Sequence, residues 1–257
     1  MTRAPLPPAF LTTPIAHRAL HDRRLNRPEN SPAAILAAVE AGYGIEIDLQ
    51  LSSDGQAMVF HDETLDRLTA ETGPVTARTA AELSSIRLKD SDNFIPTLLS
   101  VLTLIAGRVP LLIEIKDQSG TMMATDGRLE AATAAALQGY HGPAAVMSFN
   151  PRAVATMARL APQIPRGLTT SAFDPAAWAP LPAATCDHLR AIPDFDATGA
   201  SFVSHEWLYL DRPRIADLKN AGAAILCWTI RTPQDEARAR AIAHNVTFEG
   251  YPAPVPA

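Results

Sequence analysis

The sequence predicts an α/β fold: a single (β/α)8 TIM barrel over residues 1–257, with a short insertion after the second strand. Three observations carry that expectation. Apolar, strand-like runs alternate with helical runs along the whole chain, the pattern of parallel β/α units. The strand-like runs number about eight, the count a closed barrel needs. No linker, low-complexity run or break in composition divides the 257 residues into two domains.

Leu11–His17 is the candidate first strand. Pro28-Glu29-Asn30-Ser31 opens a helix, with Asn30 or Ser31 as N-cap, Pro32 in the first turn and the helix formers Ala33–Ala41 behind it. Gly42 and Gly44 stop that helix. Gly44–Leu51 is the second strand, Ser53-Asp54-Gly55 a turn, and Gln56–Phe60 a short strand ending on His61-Asp62. Helices are expected at Thr79–Ile86, Pro96–Ala106, Arg128–Gln138 and Pro151–Leu160, and strands at Pro110–Lys116, Ala144–Phe149 and Ile164–Thr169. Phe173–Ala197, rich in Pro and Asp, reads as loops and short helices. Strands at Ser201–Ser204, Ala223–Ile230 and Val246–Glu249 complete the barrel. Between them lie helices Pro213–Ala221 and Pro233–His244, the second with its acids early and arginines late, as the helix dipole favours.

Bulk composition narrows the function. With 47% hydrophobic and 19% charged residues the chain is neither disordered nor unusually charged. A formal net charge of -5 gives no electrostatic grip on nucleic acid or anionic lipid, so an anionic small molecule must be held by a local cluster. Cys186 and Cys227 fit no zinc motif and read as two reduced thiols in a cytoplasmic protein. The N-terminal residues lack a basic end followed by an apolar run, so no signal peptide is expected. The most apolar stretch, Ile95–Ile115, is broken by Arg108 and Pro110, so stable membrane insertion is not expected either. Assembly into a homo-oligomer stays open.

The chemistry gathers at strand ends. In Gly44-Ile45-Glu46-Ile47-Asp48-Leu49, alternation puts Glu46 and Asp48 on one face. Inside a barrel two such carboxylates repel each other and resist desolvation unless a cation joins them. On this segment alone a solvent-facing pair, with the aliphatics inward, is equally open. Leu111–Lys116 repeats the pattern, with Glu114 and Lys116 on one face near the C-terminal strand end, where barrel active sites lie. Glu46, Asp48 and Glu114 together make an all-oxygen site suited to a divalent Mg²⁺ or Ca²⁺. His17 and His61 each end a strand-like run, and two imidazoles beside a cation can divide acid and base roles. Arg18 and Lys116 supply positive charge for a phosphoryl group, which is what phosphoryl transfer mainly requires. Trp228, at the end of a late strand, is either core or a flat wall for a small polyol. His205 is a weaker pocket candidate, Asp62 either orients His61 or caps a turn, and His21, His141, His188 and His244 receive no role.

These residues carry a resemblance. Ala16-His17-Arg18, Pro28-Glu29-Asn30-Ser31, Ile45-Glu46-Ile47-Asp48, Ser53-Asp54-Gly55, Phe60-His61-Asp62 with Leu65-Asp66-Arg67-Leu68-Thr69, Ile95-Pro96-Thr97-Leu98, Ile113-Glu114-Ile115-Lys116 and Cys227-Trp228-Thr229-Ile230 occur in the order seen in glycerophosphodiester phosphodiesterases. The chain resembles that family over nearly its whole length. The resemblance implies a (β/α)8 barrel that hydrolyses a glycerophosphodiester to glycerol 3-phosphate and an alcohol. It implies His17 and His61 as general acid and base, Glu46, Asp48 and Glu114 as metal ligands, Arg18 and Lys116 on the phosphate, and Trp228 against the glycerol. Four departures stand out: Ala19 where the family has Gly, Leu99-Ser100 where it tends to acids, Arg231 where Asn is common, and Phe248-Glu249-Gly250-Tyr251-Pro252 in place of a Thr-Asp-x-Pro ending.

The leading reading is a metal-dependent diesterase acting on headgroups such as glycerophosphocholine or glycerophosphoethanolamine. The same site would also serve a lysophospholipase D-like reaction or a sugar phosphodiester. A non-catalytic phosphodiester-binding barrel rests on Ala19 alone. A Schiff-base barrel enzyme using Lys116 fits the three flanking carboxylates less well.

Overall fold

The computed structural model describes residues 3–255. A short helix α1 (Ala9–Thr12) precedes the first strand β1 (Ile15–Ala16). Helix α2 (Pro32–Glu40), strand β2 (Gly44–Leu51), strand β3 (Ala57–Val59) and helices α3 (Ala80–Leu83) and α4 (Leu98–Ile105) follow. From there the β/α alternation is regular: β4 (Leu111–Ile115), α5 (Arg128–Leu137), β5 (Ala144–Ser148), α6 (Pro151–Leu160), β6 (Arg166–Thr170), α7 (Ala183–Ala191), β7 (Phe202–Glu206), α8 (Pro213–Asn220), β8 (Ala224–Ile230), α9 (Pro233–Arg240) and β9 (Asn245–Phe248).

Every strand but β3 pairs in parallel with its neighbours. Pairing of β1 with both β2 and β9 closes the cylinder, so the predicted eight-stranded barrel is the observed one. β3 runs antiparallel to β2 as a hairpin outside the ring. The insertion predicted after the second strand is therefore real, and compact rather than short. Residues 52–97 fold over a small core of their own, which includes Met58, Phe60, Leu65, Leu68, Leu83 and Ile95.

Local chemistry explains the helix starts. Ser31, not Asn30, caps α2 by accepting from the Ala34 N–H, with Pro32 at N1, worth about 1 kcal/mol. Asn30 is left-handed (φ 59°) and buried, which frees its amide for the site. Thr79 and Glu82 form a reciprocal capping box on α3.

One expectation is corrected and one is borne out. The first strand is only Ile15–Ala16, because Ala9–Thr12 folds into α1 and drives Phe10 into the base of the barrel. There Phe10 meets Ile15, Leu112, Ala145, Phe202 and Leu226, and the Asn245 amide ties the Phe10 and Thr13 carbonyls. The region read as loops and short helices contains the nine-residue α7, whose Cys186 and Leu189 pack on Phe173.

Outward residues Ile45, Ile47, Leu49, Ile113 and Ile115 pack against the helices, which sends their alternating partners inward. Gly167 on β6 marks a tight point of the lumen. A Cβ there would run into the fully buried Phe202 ring. Overpacking of a closed core typically costs about 1–3 kcal/mol, so Gly167→Ala is expected to lose stability of that order in urea unfolding. Wild-type stability in Gly167→Ala would contradict this packing.

His205 on β7 is also buried, on the helix-facing side of the strand with Val203, only 1% exposed, with Nδ1 hydrogen-bonded to Thr170 Oγ1 at 2.7 Å. It is a core histidine rather than a lining group of the site cavity. Burial, helped by Arg212, pulls its pKa down to about 4. Because the folded value lies below the unfolded one, the unfolded chain takes up the proton first. The histidine's contribution is complete above about pH 6.5 and is lost as pH falls toward 4, by up to about 3 kcal/mol. The stability gap between wild type and His205→Asn should therefore narrow between pH 7 and pH 4.5, and parallel pH profiles would argue against a neutral His205.

Candidate active site

Strand register brings the predicted carboxylates together. Asp48 on β2 lies beside Glu114 on β4, with Glu46 one inward position below. All three are buried, at 2%, 1% and 6% exposure for Glu46, Asp48 and Glu114, which eliminates the solvent-facing reading. One oxygen from each lies within 4.8 Å of the others.

Lys116 stands among them, with Nζ 2.7 Å from Asp48 Oδ1 and 2.5 Å from Glu114 Oε1. Asn30 donates to Asp48 Oδ2 at 2.9 Å, and Arg18 Nε sits 3.6 Å from the same oxygen. The Arg18 backbone N–H donates to Glu46 Oε2 at 2.8 Å. That contact needs the left-handed bend at Arg18 (φ 50°) and Ala19 (φ 66°). Ala19 thus occupies a position where glycine is conformationally free, yet its buried methyl fits without closing the site.

The electrostatics are uneven. Burial, with Asp48 and Glu114 close by, pushes the Glu46 carboxyl well above the usual carboxylate range. Glu114 is raised too, chiefly by burial. Burial would also raise Asp48, but Lys116, His61 and Arg18 outweigh it and hold that carboxyl far below its ordinary value. Three buried acids against Lys116 and Arg18, the latter shared with Glu29, are under-neutralised, and hard oxygen donors suit a hard divalent cation. The residues present fit such an ion.

Both histidines line one small cavity of about 180 Å³, whose walls also include Arg18, Lys116, Phe149 and Trp228. His17 Nδ1 meets Glu249 Oε2 at 2.5 Å. Burial draws the His17 pKa below the ordinary imidazole value, outweighing that hydrogen bond. His61 Nδ1 meets Asp62 Oδ1 at 2.7 Å, and burial lowers its pKa as well. Each imidazole is thus oriented through Nδ1 by a carboxylate, leaving Nε2 for chemistry.

Sequence reasoning missed several supports. Glu249 had been noted only as a departure from the family ending, although it holds His17 and also accepts from Arg231 Nε at 2.8 Å, so two of the departures pair with each other. His21, given no role, lies 3.5 Å from the same carboxylate. Arg67 grips Asp62 through Nε at 2.6 Å and Glu29 through Nη1 and Nη2, while Glu29 also accepts from Arg18 Nη1 at 2.8 Å. This chain links Arg18 to His61 and runs through three of the segments that carry the resemblance. Thr169 and Thr247 line the cavity with buried hydroxyls that have no hydrogen-bond partner among the described residues. Trp228 falls within β8 rather than at its end. Its Nε1 donates to the Ser204 carbonyl at 3.0 Å, and its ring stands edge-on to Phe149 at 5.5 Å.

Residues 17–246 match the sequence profile of the Glycerophosphoryl diester phosphodiesterase family. This chain belongs to that family. It is 35% identical over 164 residues to the glycerophosphodiester phosphodiesterase of Caldanaerobacter subterraneus, a match spanning 61% of this chain and 66% of that enzyme. The Bacillus subtilis protein YhdW is 27% identical over 250 residues, spanning 93% of this chain and 94% of its own. A solved Oleispira antarctica phosphodiesterase, in complex with the product sn-glycerol-3-phosphate, superposes with a TM-score of 0.77 at 26% identity over 95% of both chains. Membership makes the chain one of the phosphoric diester hydrolases. Among the described residues no helix is long and apolar enough to cross a membrane.

Proposed function

We propose that this chain hydrolyses glycerophosphodiesters to glycerol 3-phosphate and an alcohol, using a divalent Mg²⁺ or Ca²⁺ held by Glu46, Asp48 and Glu114. The observation that carries the reading is the convergence of those three buried carboxylates with His17, His61, Arg18 and Lys116 on one cavity. When bound, the ion would polarise a phosphoryl oxygen and offset charge that develops on phosphorus. The remaining work falls to the protein. Arg18 and Lys116 bind the other phosphoryl oxygens, and their own partners, Glu29, Asp48 and Glu114, hold them in place. One imidazole takes the proton of the attacking hydroxyl while the other gives a proton to the departing alkoxide, each steered by its carboxylate. Trp228 and Phe149 set a flat apolar wall for the glycerol carbons.

The test is release of glycerol 3-phosphate from glycerophosphocholine and related diesters, read with a coupled dehydrogenase. Turnover is expected with added Mg²⁺ or Ca²⁺ and none after EDTA. Tight diester binding without turnover under every metal condition would instead favour a binding protein.

A further inference from the structure

Two larger clefts flank the cavity, and their chemistry differs. One, of about 660 Å³, shares His61, Glu114, Lys116 and Phe149 with the cavity and extends past Trp178 and Asp62. The other, of about 790 Å³, meets the cavity at Arg231, runs beside Glu249 and is walled by Arg23, Arg24 and Arg27. This second cleft lies on the His17 side, because Glu249 is the carboxylate that holds His17.

The balance of partners distinguishes the two. On the His61 side the acids are largely spoken for: Asp62 by Arg67 and His61, Glu114 by Lys116, and Asp117 by Ser119, Asn150 and the Met122 N–H, leaving Glu63. On the His17 side the arginines are not. Among the described residues Arg23, Arg24 and Arg27 make no ion pair with any carboxylate, and the buried Arg27 Nε has no hydrogen-bond partner at all. The acids in that cleft are Asp22, whose Oδ1 caps the Arg24 N–H, and Glu249, already shared by His17 and Arg231. Four guanidinium groups against two occupied carboxylates leave a cationic cleft in a chain whose net charge is -5.

A diester bound at the cavity would have one cleft available to each of its two arms. The apolar wall of Trp228, Phe149 and Trp178 suits the carbon face of glycerol, so the alcohol arm passes Arg231. We propose that the Arg23–Arg24–Arg27 cleft is the leaving-alcohol subsite, and that it selects glycerophosphodiesters whose alcohol carries a second anionic group, a phosphate above all. This rests on the diesterase reading above and makes a cationic alcohol such as choline a poor fit. Guanidinium groups engage phosphate oxygens as planar forks, and an unpartnered set is ready to do so.

The experiment compares glycerophosphoinositol with glycerophosphoinositol 4-phosphate, a pair differing by one phosphate on the alcohol, with glycerophosphocholine alongside. The enzyme is used with its metal, as wild type and as the triple variant Arg23→Gln/Arg24→Gln/Arg27→Gln. The phosphorylated diester is expected to have a kcat/KM about 10-fold or more above the unphosphorylated one. The triple variant should lose that advantage through KM while changing turnover of the unphosphorylated diester less than twofold, and added salt should erode the preference in wild type only. Equal kcat/KM for the pair, a preference for glycerophosphocholine, or an equal loss on both diesters in the variant would overturn the assignment. Sedimentation with phosphatidylglycerol vesicles adds another arm. Vesicle binding that depends on the three arginines, without discrimination between the diesters, would replace a substrate subsite with a lipid-facing patch. If no diester is cleaved under any metal condition, the diesterase reading fails first, and the subsite falls with it.

Discussion

Asp48→Asn is expected to abolish metal-supported turnover, by about 10³-fold or more, and to destabilise the protein by about 3–5 kcal/mol. The two losses share one cause. Asp48 receives Lys116 at 2.7 Å, Asn30 at 2.9 Å and Arg18 at 3.6 Å, and is itself 1% exposed. Removing its charge leaves the half-buried Lys116 and Arg18 without their shared counter-ion. Glu46→Gln separates the two effects. Glu46 is the acid most opposed by burial and by its neighbours, so losing its charge relieves repulsion instead of stranding a cation. In EDTA, Glu46→Gln should be at least as stable as wild type in urea unfolding. It should also lose the stabilisation that Mg²⁺ or Ca²⁺ gives wild type, along with turnover. An Asp48→Asn protein of wild-type stability, or a Glu46→Gln protein that still responds to metal, would contradict the arrangement.

The second large effect concerns the histidines. His17→Ala and His61→Ala are each expected to lower kcat by about 10²–10⁴-fold with KM little changed, because each moves a proton only in the transition state. Glu249→Gln should act more mildly, by about 10-fold, and leave a signature in pH. The Glu249 carboxylate raises the His17 pKa, partly offsetting the lowering by burial. Removing that charge lets the pKa fall further, so the limb of the kcat/KM profile set by His17 moves to lower pH while the His61 limb stays. Full turnover of every diester by His61→Ala would remove the two-histidine mechanism.

Much of this was legible in the sequence because barrel strands alternate strictly. Once Ile45, Ile47 and Leu49 are taken as helix-facing, Glu46 and Asp48 must point inward, and the same argument places Glu114. The helix at Pro151–Leu160 was readable to the residue, since Asn150 caps it and Pro151 opens it. What stayed hidden depends on tertiary contacts. Nothing local pairs Glu249 with a histidine 232 positions earlier, or joins Arg67 to Glu29 across 38. The first strand was overextended because Leu11 looks like strand material, whereas helix α1 forms to plug the lumen with its neighbour Phe10. Ala19 was visible as a departure, but only the backbone reveals that it sits at φ 66° and still leaves Arg18 free to bind Glu46.

The most direct test of the central claim is a crystal structure with Mn²⁺ and glycerol 3-phosphate, with the metal located by anomalous scattering. One metal peak is expected about 2.0–2.6 Å from oxygens of Glu46, Asp48 and Glu114. The phosphate is expected against Arg18 and Lys116, with both His17 and His61 within hydrogen-bond reach of its oxygens. His17, His21 and Glu249 form the other cluster of ligand atoms in the chain's described residues. Metal bound there instead, or phosphate outside the cavity, would contradict the account.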